Sequence, residues 1–265
     1  MTRGTIATVM LDPDDPRGLE AAIATARQLS LHLEVLCLTP AAFHLPPPTM
    51  GDAFMPPVIL QDHTAELEAC EAAVTDRMAR EDVEWSVMAL SAVSDALSTR
   101  LTQRLRFCDI VLLPRSGAVP ADLMRLFENI LYQSRVPILL TDAAPRSFDR
   151  VMIAWDESDV ALAAIRAADA VLSVAKEVEI VTVGLPGAGE DLARMLARRG
   201  TAPLLTPLPR GGEAISGLLL DHARATGADL IVAGAYGHAR LREIVLGGVT
   251  RDLLRQAGVP LLLAR

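Results

Sequence analysis

The sequence contains few aromatic residues, few cysteines and no long apolar run. Aromatic residues make up 3% of the 265 residues although 51% are hydrophobic, so the apolar content is mostly Ala, Leu and Val. This composition is typical of helices packed on strands that are buried on both faces. No apolar run approaches the roughly 20 residues of a membrane-spanning helix. The N-terminus reaches an acidic turn too soon for a signal peptide. We therefore expect a cytoplasmic protein without a membrane partner.

An excess of basic residues is also lacking, since 25 Lys and Arg stand against 33 Asp and Glu, a net charge of −8. Nucleic-acid-binding proteins usually present a basic face that neutralises several phosphates. Arg194, Arg198 and Arg199 do cluster, but Glu190 and Asp191 lie beside them in the sequence. This pattern indicates a solvated helix face, and we predict no nucleic-acid partner.

The three cysteines, Cys37, Cys70 and Cys108, lie more than 30 positions apart and form no C-x-x-C pair. Two of them fall within apolar, strand-like runs. Isolated cysteines in such runs usually behave as small buried hydrophobic residues. We therefore predict no metal site and no redox site at these positions.

Four segments of the sequence recur in the same order. The matched pairs are 8–12 with 152–156, 34–38 with 179–183, 108–117 with 228–237, and 135–140 with 258–263. The third pair is offset by 120 positions and the fourth by 123, so the second copy has three extra residues between those segments. A gene duplication explains the order, and repeats of this kind define the domain organisation. We predict one domain at residues 1–145 and another at 148–265, joined by the polar linker 141–147.

Each copy alternates short apolar runs with Ala-rich helical stretches, such as 19–30 and 160–174. Continuous apolar runs of this length indicate parallel strands buried on both faces. Right-handed crossovers then give a doubly wound, Rossmann-like unit. The sequence therefore predicts an α/β protein with two tandem parallel sheets.

A glycine-rich pattern follows the strand predicted at 229–233 in the second copy. Gly234 and Gly237 come directly after it, and nine residues later Gly247 and Gly248 precede the helix predicted at 251–256. Glycines allow tight turns in which backbone N–H groups face an anion. A helix N-terminus also favours negative charge. The spacing suits a polyphosphate, although the same glycines would also serve merely to shape a loop.

Two side chains near these glycines have hydroxyl or imidazole groups. Thr250 can donate its hydroxyl or cap the helix, and His238 can contact a phosphate. No G-x-x-x-x-G-K-[ST] motif occurs, and segment 184–189 lacks the third glycine of a dinucleotide-binding turn, so we predict a loop there.

The run G-A-Y-G-x9-G-G-V-T resembles the motif of the universal stress protein family, and the whole chain resembles a tandem member of it. The resemblance implies an adenine-nucleotide fold with five parallel strands in each domain. It implies bound ATP or AMP, with or without Mg²⁺, and because the glycine motif is intact only in the second copy, we predict binding by that copy only. Asp156 would then lie near the adenine, Val183 would line the base, and the loop would hold the ribose and phosphates. The site residues are Asp156, Val183, Gly234, Gly237, His238, Gly247, Gly248, Val249 and Thr250.

The sequence departs from this family pattern in both copies. Gly248 replaces the family's Ser or Thr, which removes a hydrogen bond worth roughly 1.5–3 kcal/mol, about one to two decades of affinity. Thr250 is a candidate to compensate. In the first copy Gly117 remains, but Pro114, which has no N–H, aligns with Gly234. Met124 and Arg125 align near Gly247 and Gly248. We predict that the first copy does not bind ATP and that Asp12 is a remnant or a helix cap.

The sequence thus predicts a stress-responsive nucleotide binder with at most slow ATP hydrolysis, because no general base stands out beside the loop. Two alternatives stay open, an interaction protein that needs no nucleotide and a slow ATPase. The resemblance also implies that the last strand, 259–263, pairs with its counterpart in an intrachain pseudo-dimer. A protein client, a homo-oligomer and a role for the Pro-rich segment 45–57 are left open. His222 is predicted to lie at the surface.

Overall fold

The structure is a computed structural model that describes residues 4–10, 15–38, 64–90, 94–115, 127–128, 130–235 and 248–265. The Pro-rich segment 45–57 lies outside the described residues. None of the helices in the described ranges has the length and apolar content needed to cross a bilayer.

The first half of the chain contains five strands and, among its described residues, three helices and a π-helical turn at Ile130–Ser134. The strands are β1 (Thr5–Met10), β2 (His32–Leu38), β3 (Trp85–Leu90), β4 (Ile110–Pro114) and β5 (Ile138–Thr141). The helices are α1 (Arg17–Leu29), α2 (Thr64–Met78) and α3 (Ser94–Leu105).

The second half repeats the order of the strands. They are β6 (Arg150–Ala154), β7 (Glu177–Val183), β8 (Leu204–Leu208), β9 (Leu230–Gly234) and β10 (Leu261–Ala264). The helices described in it are α4 (Asp159–Ala167), α5 (Asp169–Leu172), α6 (Glu190–Arg198), α7 (Ile215–Thr226) and α8 (Gly248–Gln256). The single helix predicted over 160–174 is therefore divided, because the chain leaves helical geometry at Ala168. The loop predicted at 184–189 is confirmed, since α6 begins only at Glu190.

All ten strands form one sheet, in the order β3-β2-β1-β4-β5-β10-β9-β6-β7-β8. Every neighbouring pair is parallel except β5 and β10. Each half therefore contributes a doubly wound parallel unit of five strands, which confirms the predicted fold class. The predicted domain limits, 1–145 and 148–265, stay a prediction.

The two units meet through an antiparallel seam between β5 and β10. Leu139 lies opposite Leu262, and these two residues are counterparts in the repeat, 123 positions apart. The flanking pairs are Leu140 with Leu261 and Ile138 with Leu263. In the repeat Leu140 corresponds to Leu263 and Ile138 to Leu261, so each flanking pair is the counterpart of the other. Such mutual exchange is the property of a two-fold, isologous contact. The predicted intrachain pseudo-dimer is thus confirmed at this seam.

The sheet register corrects one of the four sequence matches. Thr8 pairs with Leu112, whereas the counterpart of Leu112 in β9, Val232, pairs with Ile153. The first strands therefore correspond with an offset of 145 positions, so the match of 8–12 with 152–156 is wrong by one residue. A one-residue slip would move every side chain to the other face of the sheet. By this register the counterpart of Asp156 is residue 11, not Asp12, and both first-half positions lie outside the described residues.

Helices cover both faces of the sheet. On one face α1, α2, α4, α5 and α6 pack over buried side chains such as Ile6 and Ile153. On the other face α3, α7 and α8 pack over side chains such as Val111 and Ile231. At the start of β1, Asp109 Oδ2 accepts the N–H of Thr5 at 2.7 Å. At the start of β6, Asp229 Oδ2 accepts the N–H of Arg150 at 2.9 Å. The duplicated fold therefore retains its strand-starting contacts.

The three cysteines are buried, as predicted. Burial raises the pKa of the Cys108 thiol to about 12. A hydrogen bond with the neighbouring Cys70 thiol, together with burial, raises the pKa of Cys37. Thiols kept protonated in this way are poor nucleophiles.

His222, which was predicted to lie at the surface, is only partly exposed. Its side chain is only 18% exposed, and Nε2 lies 2.9 Å from Glu179 Oε1 in β7. Glu179 also accepts the hydroxyl of Thr206 at 2.5 Å. The counterpart of Glu179 in β2 is Glu34, which is paired instead with Arg104 at 2.5 Å. A carboxylate at this depth needs a donor, and each half supplies a different one.

Candidate functional site

The candidate site lies where the strand order of the second half reverses. β6 is hydrogen-bonded to β9 on one side and to β7 on the other. From β6 the chain proceeds outward to β7 and β8 and then returns to β9. Asp156 follows β6, Val183 ends β7 and Gly234 ends β9. The three predicted residues therefore lie at the carboxyl ends of neighbouring parallel strands. Doubly wound sheets bind ligands at these ends, at the reversal.

Asp156 is exposed and organises the turn between β6 and α4. Its Oδ1 accepts both the N–H of Ser158, at 3.0 Å, and the Ser158 hydroxyl, at 2.6 Å. The hydroxyl oxygen of Ser158 in turn accepts the N–H of Ala161 at 3.1 Å and caps α4. Within the described parts of the chain, Asp156 Oδ2 has no hydrogen-bond partner, so one oxygen supports the turn and the other faces outward.

Two residues flanking Asp156 have features that sequence reasoning missed. Glu157 adopts a left-handed backbone conformation with φ 64°, which costs energy in a residue with a Cβ. The indole Nε1 of Trp155 is buried and has no hydrogen-bond partner among the residues that the structure describes. Neither feature follows from the sequence, because both depend on how the turn is held.

Val183 is buried at the end of β7, 9% exposed, and the chain turns sharply after it. Gly184 has φ +69°, and a Cβ there would lie 2.7 Å from the Cβ of Arg210. The Arg210 side chain therefore lies against Gly184 beside the same edge of the sheet. No sequence motif marks the residues that follow β8, so Arg210 could not be predicted as a site residue.

Gly234 has a packing role that does not depend on a ligand. A Cβ at this position would lie 2.6 Å from the backbone nitrogen of Ala161 and 2.9 Å from its Cα. The first turn of α4 thus approaches the end of β9 backbone to backbone. Glycines at such positions serve close helix–strand packing. Gly234 alone is therefore no evidence for a phosphate site.

Helix α8 begins three residues earlier than predicted, at Gly248. Gly248 is exposed, and a Cβ there would meet no described residue within 4 Å. Val249 packs against the core beneath the helix, and Thr250 is 7% exposed. Thr250 is the third residue of the helix and so is not its cap, which leaves the other role suggested for it, that of a hydroxyl donor. Gly237, His238 and Gly247 lie outside the described residues.

The orientation of α8 follows from its connections. The helix ends at Gln256, and β10 starts at Leu261 beside the start of its parallel neighbour β9. The C-terminal end of α8 therefore lies near the amino ends of the strands. Its first turn lies near their carboxyl ends, where Asp156 is also found. This first turn has unpaired N–H groups and a partial positive charge. Asp156 and the N-terminal end of α8, which favours anions, thus lie at the same end of the strands.

The corresponding edge of the first half is built differently. Pro114 ends β4 at the position of Gly234 in β9, as the register of the two strands shows. Its ring lies against the first turn of α1, with Cδ 3.8 Å from the position of a Cβ on Gly18. The next residue, Arg115, is buried and binds Asp142 Oδ2 at 2.6 Å and the carbonyl oxygen of Val259 at 3.0 Å. Gly117, Met124 and Arg125 lie outside the described residues.

The chain is similar to proteins of one family in sequence and in structure. Residues 210–265 match the model of the universal stress protein family. Universal stress protein Slr1230 of Synechocystis sp. (strain ATCC 27184 / PCC 6803 / Kazusa) is 29% identical over 148 residues, which are 52% of this chain and 50% of that protein. This chain thus matches about half the length of its curated relative.

Solved structures resemble the whole chain. A universal stress protein from Archaeoglobus fulgidus DSM 4304 covers 98% of both chains with a TM-score of 0.73 at 14% identity. A putative universal stress protein from Pseudomonas aeruginosa UCBPP-PA14 covers 98% of this chain and 92% of its own, with a TM-score of 0.59 at 17% identity. At these identities the likeness concerns the fold. Residues 210–265 are thus similar in sequence to the universal stress protein family, and the whole chain shares the fold of its solved structures.

Proposed function

We propose that the protein is a stress-responsive regulator that binds an adenine nucleotide, ATP or AMP, in its second half and catalyses little or no chemistry. The main support for the proposal is that Asp156, Val183 and the first turn of α8 all lie at the carboxyl ends of the second-half strands. These strand ends provide an apolar wall, an outward carboxylate and a helix N-terminus within one doubly wound unit. We place this activity in the cytoplasm.

The described residues fit a nucleotide by their chemistry. Val183 offers an apolar surface to the base, and the outward oxygen of Asp156 can accept a hydrogen bond from an amino or hydroxyl group. The backbone N–H groups at the start of α8 suit a phosphate. Gly248 has no side chain, and among the described residues none would lie within 4 Å of a Cβ at this helix end.

We restrict the site to the second half because the first half differs at the end of its fourth strand. Pro114 has no N–H at the end of β4. Its ring occupies the position where β9 has a glycine. Arg115 brings a cation to this edge, but Asp142 and a backbone carbonyl oxygen already neutralise and bind it.

The second candidate is an interaction protein of the same fold that needs no nucleotide. Two observations favour it. Gly248 supplies no hydroxyl to a phosphate, and Gly234 has a packing reason to be glycine.

A slow ATPase is a third candidate, but no general base stands out near the glycine loop in the sequence. ATP without rapid hydrolysis would suit a sensor whose nucleotide state reports cellular conditions.

The test is calorimetric titration of the full chain with ATP and AMP, using wild type, Gly248→Ser and Gly248→Ala. Both substitutions remove a helical glycine and have the same open space, so their difference isolates the hydroxyl. We expect wild type to bind. A hydroxyl bonded to a phosphate is worth roughly 1.5–3 kcal/mol, so Gly248→Ser should bind about tenfold more tightly than Gly248→Ala, or better. No binding by any of the three at millimolar nucleotide would reject the proposal and favour the interaction protein.

A further inference from the structure

The two outer strands of the ten-stranded sheet, β3 and β8, have different free edges. A free edge exposes backbone N–H and C=O groups that can pair with another strand, and proteins usually block it with proline or charge. The two strands are counterparts in the repeat, so differences between them can be compared residue by residue.

The free edge of β8 is blocked by proline. The carbonyl oxygen of Leu208 accepts the N–H of Gly184 at 2.9 Å, so residue 208 faces β7. Because backbone groups alternate along a strand, Leu205 and Pro207 of β8 face away from the sheet, and positions 203 and 209 flank the strand in the same phase. Three of these four positions are proline: Pro203, Pro207 and Pro209. The outward side of β8 therefore has almost no N–H donors, and proline is confined to such edges.

The free edge of β3 has no such block. The carbonyl oxygen of Glu84 accepts the N–H of Leu33 at 2.8 Å, so residue 84 faces β2. By alternation Trp85, Val87 and Ala89 direct their N–H and C=O groups outward. None of the three is proline or charged. Across the described ranges, no hydrogen bond joins these outward groups to another residue.

We propose that β3 pairs with β3 of a second copy of this chain, antiparallel and centred on Val87. In this register Trp85 of one copy lies opposite Ala89 of the other, so a large side chain meets a small one on both sides of the two-fold axis. Glu84 lies opposite Leu90, so no like charges oppose each other within the paired strands. The strand is thus complementary to itself, which is what a two-fold contact requires.

The seam inside the chain is the structural precedent for this pairing. There β5 and β10 already join two five-stranded units by a two-fold antiparallel contact of three residue pairs. A β3–β3 contact would extend the same sheet in the same manner, with six residues in each strand. A second copy suits this edge because, in the register centred on Val87, Trp85 lies opposite Ala89 and no like charges oppose each other.

The test is the molecular mass of the full chain by sedimentation velocity, comparing wild type with Ala89→Pro and Ala89→Ser. In the sheet register Ala89 corresponds to Pro207, so the repeat itself shows that proline is compatible with this position. Ala89→Pro removes the outward N–H, whereas Ala89→Ser keeps it. We expect dimers for wild type and Ala89→Ser and monomers for Ala89→Pro, with the same circular dichroism spectrum. A monomeric wild type, or a dimeric and folded Ala89→Pro, would overturn the proposal.

A cross-link keeps the proposal testable if Ala89→Pro does not fold. Val87→Cys places two thiols opposite each other across the proposed axis, whereas Leu205→Cys places a thiol at the corresponding position of the blocked strand. Under mild oxidation we expect a covalent dimer from Val87→Cys and none from Leu205→Cys. Failure of Val87→Cys to cross-link would overturn the pairing and would mean that something other than a second copy covers this edge.

Discussion

At the carboxyl end of its fourth strand, each half of the chain meets the first turn of its first helix, and the two contacts differ. In the second half Gly234 allows the backbone of Ala161 to approach so closely that a Cβ would lie 2.6 Å away. In the first half the ring of Pro114 lies between strand and helix, with Gly18 at ordinary contact distance. The second half therefore keeps backbone N–H groups near this edge, and the first half has replaced one by a ring.

The residue after this strand extends the contrast. Ala235 is fully buried, and its N–H donates to the carbonyl oxygen of Ala264. Its counterpart Arg115 is also buried, but its guanidinium crosses the seam to reach the carbonyl oxygen of Val259. In the first half this position therefore connects the two units. A duplicated fold can thus keep its strand order and core while the residues after the fourth strand differ between the copies, and in one copy they form a structural contact.

The largest predicted effect concerns the backbone contact in the second half. Gly234→Ala should lower the free energy of unfolding by about 3 kcal/mol, the upper end of the range for overpacking, because the atoms it meets belong to a helix backbone. Gly18→Ala is the matched change in the first half. Since its Cβ has room, it should be neutral or stabilise the protein by up to about 1 kcal/mol. Urea denaturation of both variants measures the difference, and equal losses would remove the contrast between the halves.

A smaller effect is predicted for the residue that crosses the seam. Arg115→Met keeps the apolar stem but removes the hydrogen bonds to Asp142 and Val259, so we expect a loss of about 1.5 kcal/mol in the free energy of unfolding. Asp142→Asn should cost less, because the Asp142 side chain is 50% exposed and exposed ion pairs contribute about 0–1 kcal/mol. The same denaturation measurement applies. A larger loss for Asp142→Asn would mean that the ion pair, not the bond to Val259, holds Arg115.

The sequence alone predicted the repeated strands and their parallel arrangement, because buried strands and a duplicated order leave direct patterns. The seam was predicted only through the resemblance to a known family. It misplaced the first-strand match by one residue, since an acidic residue after each strand suggested the wrong alignment. It placed His222 at the surface because its partner, Glu179, is 43 positions away in the chain.

The glycine pattern could be read from the sequence, but its physical cause at Gly234 could not. The reason for glycine there is a contact with Ala161, 73 residues earlier, and no local spacing reveals such a contact. Likewise, the left-handed Glu157 and the buried indole N–H of Trp155 arise from the folded turn. Local pattern predicts elements and their order, whereas side-chain roles at the site depend on approaches between distant segments.

Hydrogen exchange of the full chain, followed by mass spectrometry of its peptides with and without ATP, tests most directly whether only the second half binds nucleotide. Amides that bind phosphate or are covered by the base exchange more slowly, and the peptides of the two halves report separately. The account predicts slower exchange at residues 154–158 and 248–252 and no change at 110–115. Slower exchange at 110–115, or no change in either half at saturating ATP, would contradict it.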